Sequence, residues 1–272
     1  LQDELAWQKQ QDESMRAPDG WLTIAGLYWL VEGPNTFGAS SENKIQLPEG
    51  SAPPVVGTFF YRSGKVAFET LEGVPLLLND KSVAQGDLRT DVEGEPDVLA
   101  IHDLRMWIIA RDGRHAVRLR DLNHSAWKNS HPLEFFPPDP KFKILADFIP
   151  HSEPMSIEVE TQIGTTTEML SPGYVRFDLE GREFKLVGFS QGANSLFIIF
   201  KDLTNGIETY EASRFLSAEI LEEGRKVNLN FNRAYNPPCA FTPHATCPLP
   251  PPENILDIRI AAGEKRYSEE HS

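Results

Sequence analysis

From Trp21 onward the apolar residues recur at every second position in short runs. The first set comprises Lys44–Leu47, Thr58–Tyr61, Lys65–Glu69, Val74–Leu78, Val98–His102, Leu104–Ala110 and His115–Arg120, each bounded by turn residues. Side chains alternate faces along a strand, so this pattern predicts half-buried antiparallel strands, with Asp112-Gly113 as a hairpin turn. A second set runs Met155–Thr161, Thr165–Leu170, Tyr174–Leu179, Arg182–Phe189, Leu196–Lys201, Ile207–Glu211 and Val227–Phe231. Within Val227-Asn-Leu-Asn-Phe-Asn232 the alternation is unbroken, which puts Val227, Leu229 and Phe231 on a core face and three asparagines opposite. A last strand is predicted over Ile255–Ala261. The stretch Asp3–Arg16 has no Gly or Pro and is rich in Gln, Glu, Lys and Ala, so it reads as a helix that stops before Ala17-Pro18-Asp19-Gly20.

The fold predicted is mainly β, with two antiparallel sandwich or barrel-like modules preceded by one short N-terminal helix. The expected divisions are a helix and turn over 1–20, a sandwich over 21–122, a linker rich in His, Asn, Ser and Pro over 123–140, and a second β module over 141–272.

Composition narrows the partners. Forty acidic residues against twenty-six basic give a formal charge of −14, which opposes attraction to nucleic acid and to anionic membrane surfaces. The acid is scattered, with short clusters at Glu222-Glu223 and Glu269-Glu270, as on a solvated surface. No apolar run approaches the roughly 18 residues of a membrane span. The chain begins at Leu1 and not at methionine, so an upstream piece is read as removed; this leaves the compartment open, with export after removal of a leader favoured over a cytoplasmic location. The sequence leaves the oligomeric state open.

The densest chemistry lies in one crossing between late strands, Asn236-Pro-Pro-Cys-Ala-Phe-Thr-Pro-His-Ala-Thr-Cys-Pro-Leu-Pro-Pro-Pro-Glu-Asn254. Proline fixes φ and removes a backbone donor, so this segment is a stiff irregular loop, and such loops are common homes for sites. Cys239, His244 and Cys247 carry three soft side chains that fit a zinc ion poorly without a fourth ligand, so no metal and no cofactor is expected. The two cysteines read equally as a short-loop disulfide or as buried thiols. Cys239 or Cys247 activated by His244 is a candidate nucleophile, with Asn236, Glu253 or Asn254 to orient it. Elsewhere Arg118 and Arg120 alternate with apolar residues beside Asp121, so both guanidinium groups should leave one face of a strand. They form either a surface ion pair or a clamp for a carboxylate or phosphate, a role Arg214 could share.

Two family resemblances follow. Gly33-Pro-Asn-Thr-Phe-Gly38, Asn43-Lys-Ile-Gln-Leu47, Leu77-Leu-Asn-Asp-Lys81 and Asp97-Val-Leu-Ala-Ile101 are similar to the skeleton of a forkhead-associated sandwich. Ala39 stands where that family has its phosphothreonine-gripping arginine, and the Ser-x-x-His pair is missing, so the likeness implies a fold and not phosphopeptide binding. Phe231–Pro243, Ala245–Asn254 and Ala262-Gly-Glu-Lys265 resemble the signature of the DUF1684 family. Gly20-Trp-Leu22, Gly26–Leu30, Arg118–Asp121, Phe136-Pro-Pro138, Ser171-Pro-Gly173, Thr209-Tyr210 and Arg214-Phe-Leu216 extend that resemblance over nearly the whole chain. It implies no defined activity. In that family's pattern tyrosine commonly holds the position of His244, which moves attention to the two cysteines with Asn236, Glu253, Asn254, Glu264 and the arginine strands.

The leading expectation is a small polar or anionic ligand held in a pocket between the modules by Arg118, Arg214, Asn236, Glu253 and Asn254. A hydrolase using the loop cysteines or polar residues, and a structural or interaction module without a ligand, are the alternatives.

Overall fold

The computed structural model describes residues 1–221 and 225–267, so the Glu222-Glu223 and Glu269-Glu270 clusters and His271 lie outside the described residues. Two compact units are present, Leu1–Ala17 with His131–Ser272, and Pro18–Ser130.

The Pro18–Ser130 unit is a two-sheet sandwich. Its strands are β1 (Ile24–Trp29), β2 (Gly33–Gly38), β3 (Ile45–Gln46), β4 (Gly57–Arg62), β5 (Lys65–Thr70), β6 (Leu77–Leu78), β7 (Lys81–Ser82), β8 (Gln85–Leu88), β9 (Leu99–Ile101), β10 (Leu104–Arg111) and β11 (Arg114–Asp121). One sheet runs β1-β11-β10-β9-β6-β7 and the other β3-β2-β4-β5-β8. The predicted hairpin joins β10 to β11 with Ala110 opposite His115, and Asp112 and Gly113 take the positive φ angles such a turn needs. Inward residues of both sheets, among them Phe37, Phe59, Phe68, Met106, Ile108, Val117 and Leu119, fill one apolar core.

The second unit is a closed barrel of β12 (Lys143–Glu160), β13 (Thr166–Leu179), β14 (Arg182–Ser190), β15 (Ser195–Phe200), β16 (Arg214–Ile220) and β17 (Lys226–Asn230). Closure comes from β12 pairing with β17, Lys143 opposite Asn230. The interior is a packed core of Phe177, Phe200, Phe231, Leu186, Leu216, Leu229 and their neighbours, so the lumen holds side chains and not a ligand. Met155–Thr161, predicted as a strand of its own, falls almost entirely within the single long β12. It stays paired to β13 on both sides of an irregularity between Pro150 and Met155.

The N-terminal helix α1 (Gln2–Met15) belongs to the barrel unit. Its contact explains Asn230 at the end of β17. Glu4, buried, accepts hydrogen bonds from Asn230 Nδ2 at 3.1 Å and Arg233 Nε at 2.8 Å, while Trp7 meets Phe135 edge-on at 6.0 Å. On the polar face of the alternating segment Asn230 is therefore satisfied by the helix, while Asn232 Nδ2 donates to Asp139 O at 2.9 Å and to Asn230 Oδ1 at 3.1 Å.

The predicted strand Ile255–Ala261 is corrected by the structure. Leu256, Ile258, Ile260 and Ala262 do point into the barrel core, but the segment is extended chain joined to its neighbour by one isolated bridge, Lys201 to Ile255. Ile207–Glu211, also predicted as a strand, is a turn closed by Thr204 and Thr209, whose hydroxyls lie 2.9 Å apart. Turn bonds take up its backbone groups, so no ladder forms.

Candidate functional site

The proline crossing is laced to the barrel wall along its whole length. Tyr235 and Phe215 exchange both backbone hydrogen bonds at 2.9 Å, Gln162 N–H donates to Cys247 O at 2.9 Å, and Leu249 N–H donates to Glu160 O at 2.7 Å. The crossing ends on Asn254, fully buried, and this side chain acts as a piece of backbone. Strands β14 and β15 pair only at Phe189–Phe197 and Ser190–Leu196 and then part. Into the gap Asn254 Oδ1 accepts from Val187 N–H at 2.6 Å, and its Nδ2 donates to Val187 O at 3.0 Å and Ile199 O at 2.8 Å. An amide carries one acceptor and two donors in a fork, which is the set two separated strand edges require.

This lacing raises one wall of a cleft of about 750 Å³ on the barrel unit. Leu249, Pro250, Pro251, Pro252 and Ile255 form the apolar wall. Glu158, Val159 and Glu160 from the end of β12, Lys201 after β15, and Glu211 with Ala212 complete the lining. Glu158 and Glu160 share a face because they are two apart on a strand, while Val159 between them is buried. Three carboxylates against one ammonium make the cleft acidic, and the three prolines make its wall stiff.

Behind that wall sits a thiol and phenol cluster. Cys239 N–H donates to Cys247 Sγ at 3.2 Å, and no disulfide joins the two cysteines. The Tyr210 hydroxyl donates to Cys239 O at 3.1 Å and receives Gln162 Nε2 at 3.0 Å. A hydrogen bond from the Cys247 thiol, helped by Tyr210 and opposed by burial, holds the Cys239 thiol below its ordinary range. Burial raises Tyr210, so its hydroxyl stays protonated as a donor.

The residues singled out in the sequence fall into several places. Arg214 is buried at 1% exposure, its Nη1 donating to Asp202 Oδ2 at 2.7 Å and Ile260 O at 3.0 Å and its Nη2 to Ala262 O. Its fork thus holds the C-terminal extended segment in the place of a strand partner. Asn236 is buried too, its amide Nδ2 donating to Glu264 Oε1 and to Lys265 O, both at 2.7 Å, and its backbone N–H to Glu264 Oε2 at 3.2 Å. Burial pushes the Glu264 carboxyl up to about 8, against the lowering pull of these bonds and of Arg214. Glu253 is exposed on the short 3₁₀ turn Pro252–Asn254, beside the cleft wall. His244, half-buried, donates its backbone N–H to Thr242 Oγ1 at 3.2 Å, and among the described residues no group of three or more His, Cys, Asp or Glu is placed to hold a metal.

Arg118 and Arg120 do leave one face of β11, in the sandwich unit. There the planar cations lie over indole rings, Arg118 5.3 Å from the centroid of Trp21 and Arg120 5.2 Å from that of Trp107. The cleft residues Glu158, Glu160, Lys201 and Glu211 were not legible as a site. Only the Thr209-Tyr210 motif, next to Glu211, gave a hint of that corner.

Comparison with known proteins assigns the fold to a family. The profile of DUF1684, described as a protein of unknown function, matches residues 128–265, half of the chain and every strand of the barrel. The chain belongs to the DUF1684 family. Its barrel, cleft and proline crossing all lie in the matched part, whereas Gly20-Trp-Leu22, Gly26–Leu30 and Arg118–Asp121 lie before it. The chain is similar to an uncharacterised protein of Haloarcula marismortui solved in solution, at 34% identity over 53% of this chain and 80% of that one, with a TM-score of 0.44. It also matches an FHA domain studied for phosphothreonine-dependent interactions, at 17% identity over 39% of this chain and 96% of that one, with a TM-score of 0.24. No curated protein matches the chain. Nothing in these likenesses names a ligand for the DUF1684 barrel.

Proposed function

We propose that this DUF1684 protein binds a small amphipathic molecule carrying a positive charge, an amine in the simplest case, in the cleft beside the proline wall of the barrel. The observation that carries the reading is the pairing of a preformed apolar wall, Leu249–Pro252 with Ile255, against Glu158, Glu160 and Glu211 in a cleft of about 750 Å³. A wall of three prolines gives up little conformational entropy on binding, so contact with it is not offset by ordering of the protein. The facing carboxylates, with Lys201 the single countercharge, favour a cation over an anion. Arg214, Asn236 and Asn254 are buried and bonded to groups within the protein, so the cleft carboxylates and exposed Glu253 are the groups placed to meet a ligand.

Thermal denaturation of the full chain with phenethylamine and spermidine, against phenylacetate and citrate, tests the proposal. Stabilisation grows as RT ln(1 + [L]/Kd), about 2.7 kcal/mol at a hundredfold excess over Kd. The amines are expected to raise the melting temperature, and Glu158→Gln with Glu160→Gln to remove most of that rise. A response to the carboxylates alone, or an amine response untouched by the double variant, overturns the reading.

A further inference from the structure

Cys239 and Cys247 lie eight positions apart in the loop between Pro238 and Pro248. The sulfur of Cys247 is 3.2 Å from the backbone nitrogen of Cys239, so it lies beside the residue whose short side chain carries the other thiol. Both ends of the loop are fixed. Pro237 and Pro238 hold the first cysteine, Tyr210 grips its carbonyl, and Gln162 grips the carbonyl of the second. The two differ in access, since Cys239 is half-buried and Cys247 is only 4% exposed. An accessible thiol beside a shielded one is the division of labour that thiol–disulfide exchange needs, the first to attack and the second to resolve.

We infer that Cys239 and Cys247 are a reversible dithiol–disulfide site whose oxidant is a low-molecular-weight disulfide of the glutathione type. Cys239, as the thiolate, attacks one sulfur of the small disulfide. The new sulfur–sulfur bond forms as the old one breaks, and the leaving thiolate takes up the proton that Cys239 released. Cys247 then gives up its proton and attacks Cys239 Sγ, closing the intramolecular disulfide and expelling the second small thiolate, which is protonated in turn. Two protein thiols are oxidised and one small disulfide is reduced to two thiols. The lowered pKa of Cys239, caused first by the hydrogen bond from the Cys247 thiol, supports this order of attack.

The full-length folded protein is incubated with oxidised glutathione, quenched in acid, alkylated under denaturing conditions and weighed intact. The wild type is expected to lose both alkylatable thiols together and two hydrogens in mass, and to recover them in reduced glutathione. Cys247→Ser should retain one glutathione on Cys239, and Cys239→Ser should leave Cys247 unmodified. The inference is overturned if the folded wild type keeps both thiols under conditions that oxidise the urea-unfolded chain, or if it accumulates a stable glutathione adduct. Modification of Cys247 in Cys239→Ser as fast as that of Cys239 in Cys247→Ser also overturns it. The wild-type result decides the matter even if a variant folds poorly.

Discussion

The buried pair Arg214–Asp202 gives the sharpest test of how the barrel is held. Both side chains are shut off from water, at 1% and 0% exposure, and their charged atoms are 2.7 Å apart. Arg214 also donates to the carbonyls of Ile260 and Ala262, while Asp202 Oδ1 accepts from Thr204 N–H at 2.7 Å and Ile260 N–H at 3.3 Å. Arg214→Met fills similar space but leaves a carboxylate in the core with no counter-ion and frees two carbonyls. Breaking a buried pair in this way costs about 3–5 kcal/mol. Asp202→Asn keeps an acceptor for Thr204 and strands the guanidinium, so it should cost a similar amount. The double variant strands no charge. Its loss should therefore fall short of the sum of the two single losses by at least about 2 kcal/mol, within the range found for residues in direct contact. Urea unfolding supplies the free energies. Hydrogen exchange followed by mass spectrometry locates them, because peptides covering β16 and residues 255–262 should lose protection while those of β10 and β11 should not. Additive losses, or a single-variant cost below about 1 kcal/mol, would refute the claim that this pair replaces a strand ladder for the C-terminal segment.

Other outcomes follow from the same geometry. Asn254→Ala leaves Val187 and Ile199 backbone groups unsatisfied in the barrel wall and should cost about 2–4 kcal/mol, read by urea unfolding, with Asn254→Asp recovering little because the donors are gone. At Gly263, φ is +78° and an added Cβ would stand 2.4 Å from Ala234 O, so Gly263→Ala should destabilise the barrel by at least about 2 kcal/mol. Glu264, raised from 4.5 to about 8 by burial, binds its proton more tightly when folded. Its contribution is full below 4.5 and is lost as pH rises through about 8, so barrel stability should fall over that window, and Glu264→Gln should flatten the fall. Asp97 is lowered from 3.8 to about 2 by its hydrogen bonds from Arg89, with Asn79 assisting. The stability it gives the sandwich is present above 3.8 and lost as pH drops toward about 2, a loss that Asp97→Asn should abolish in acid unfolding curves.

Much of the architecture was written locally. Period-two runs such as Val227–Phe231 and the Asp112-Gly113 turn need only nearest neighbours to be read, because alternation and turn chemistry are properties of adjacent residues. The helix Gln2–Met15 was legible for the same reason. The candidate site was legible only as a stiff stretch of chain. Glu158 and Glu160 sit in an ordinary strand, and Glu211 lies in a turn mistaken for a strand, so nothing nearby in sequence marks them as facing Pro250–Pro252.

The composition and order of residues determined that this chain is mainly β, that its late crossing is rigid, and that its two cysteines share one short loop. Folding decided the roles. A guanidinium or carboxamide has the same donors on a surface or in a core, and only the partners assembled around it choose between ligand contact and internal brace. Arg214 and Asn254 became braces because barrel strands run short beside them and leave backbone groups that must be paired away from water. The cleft exists because Asn254 anchors the end of the proline wall to the barrel, opposite two carboxylates of one strand and a third from a distant turn.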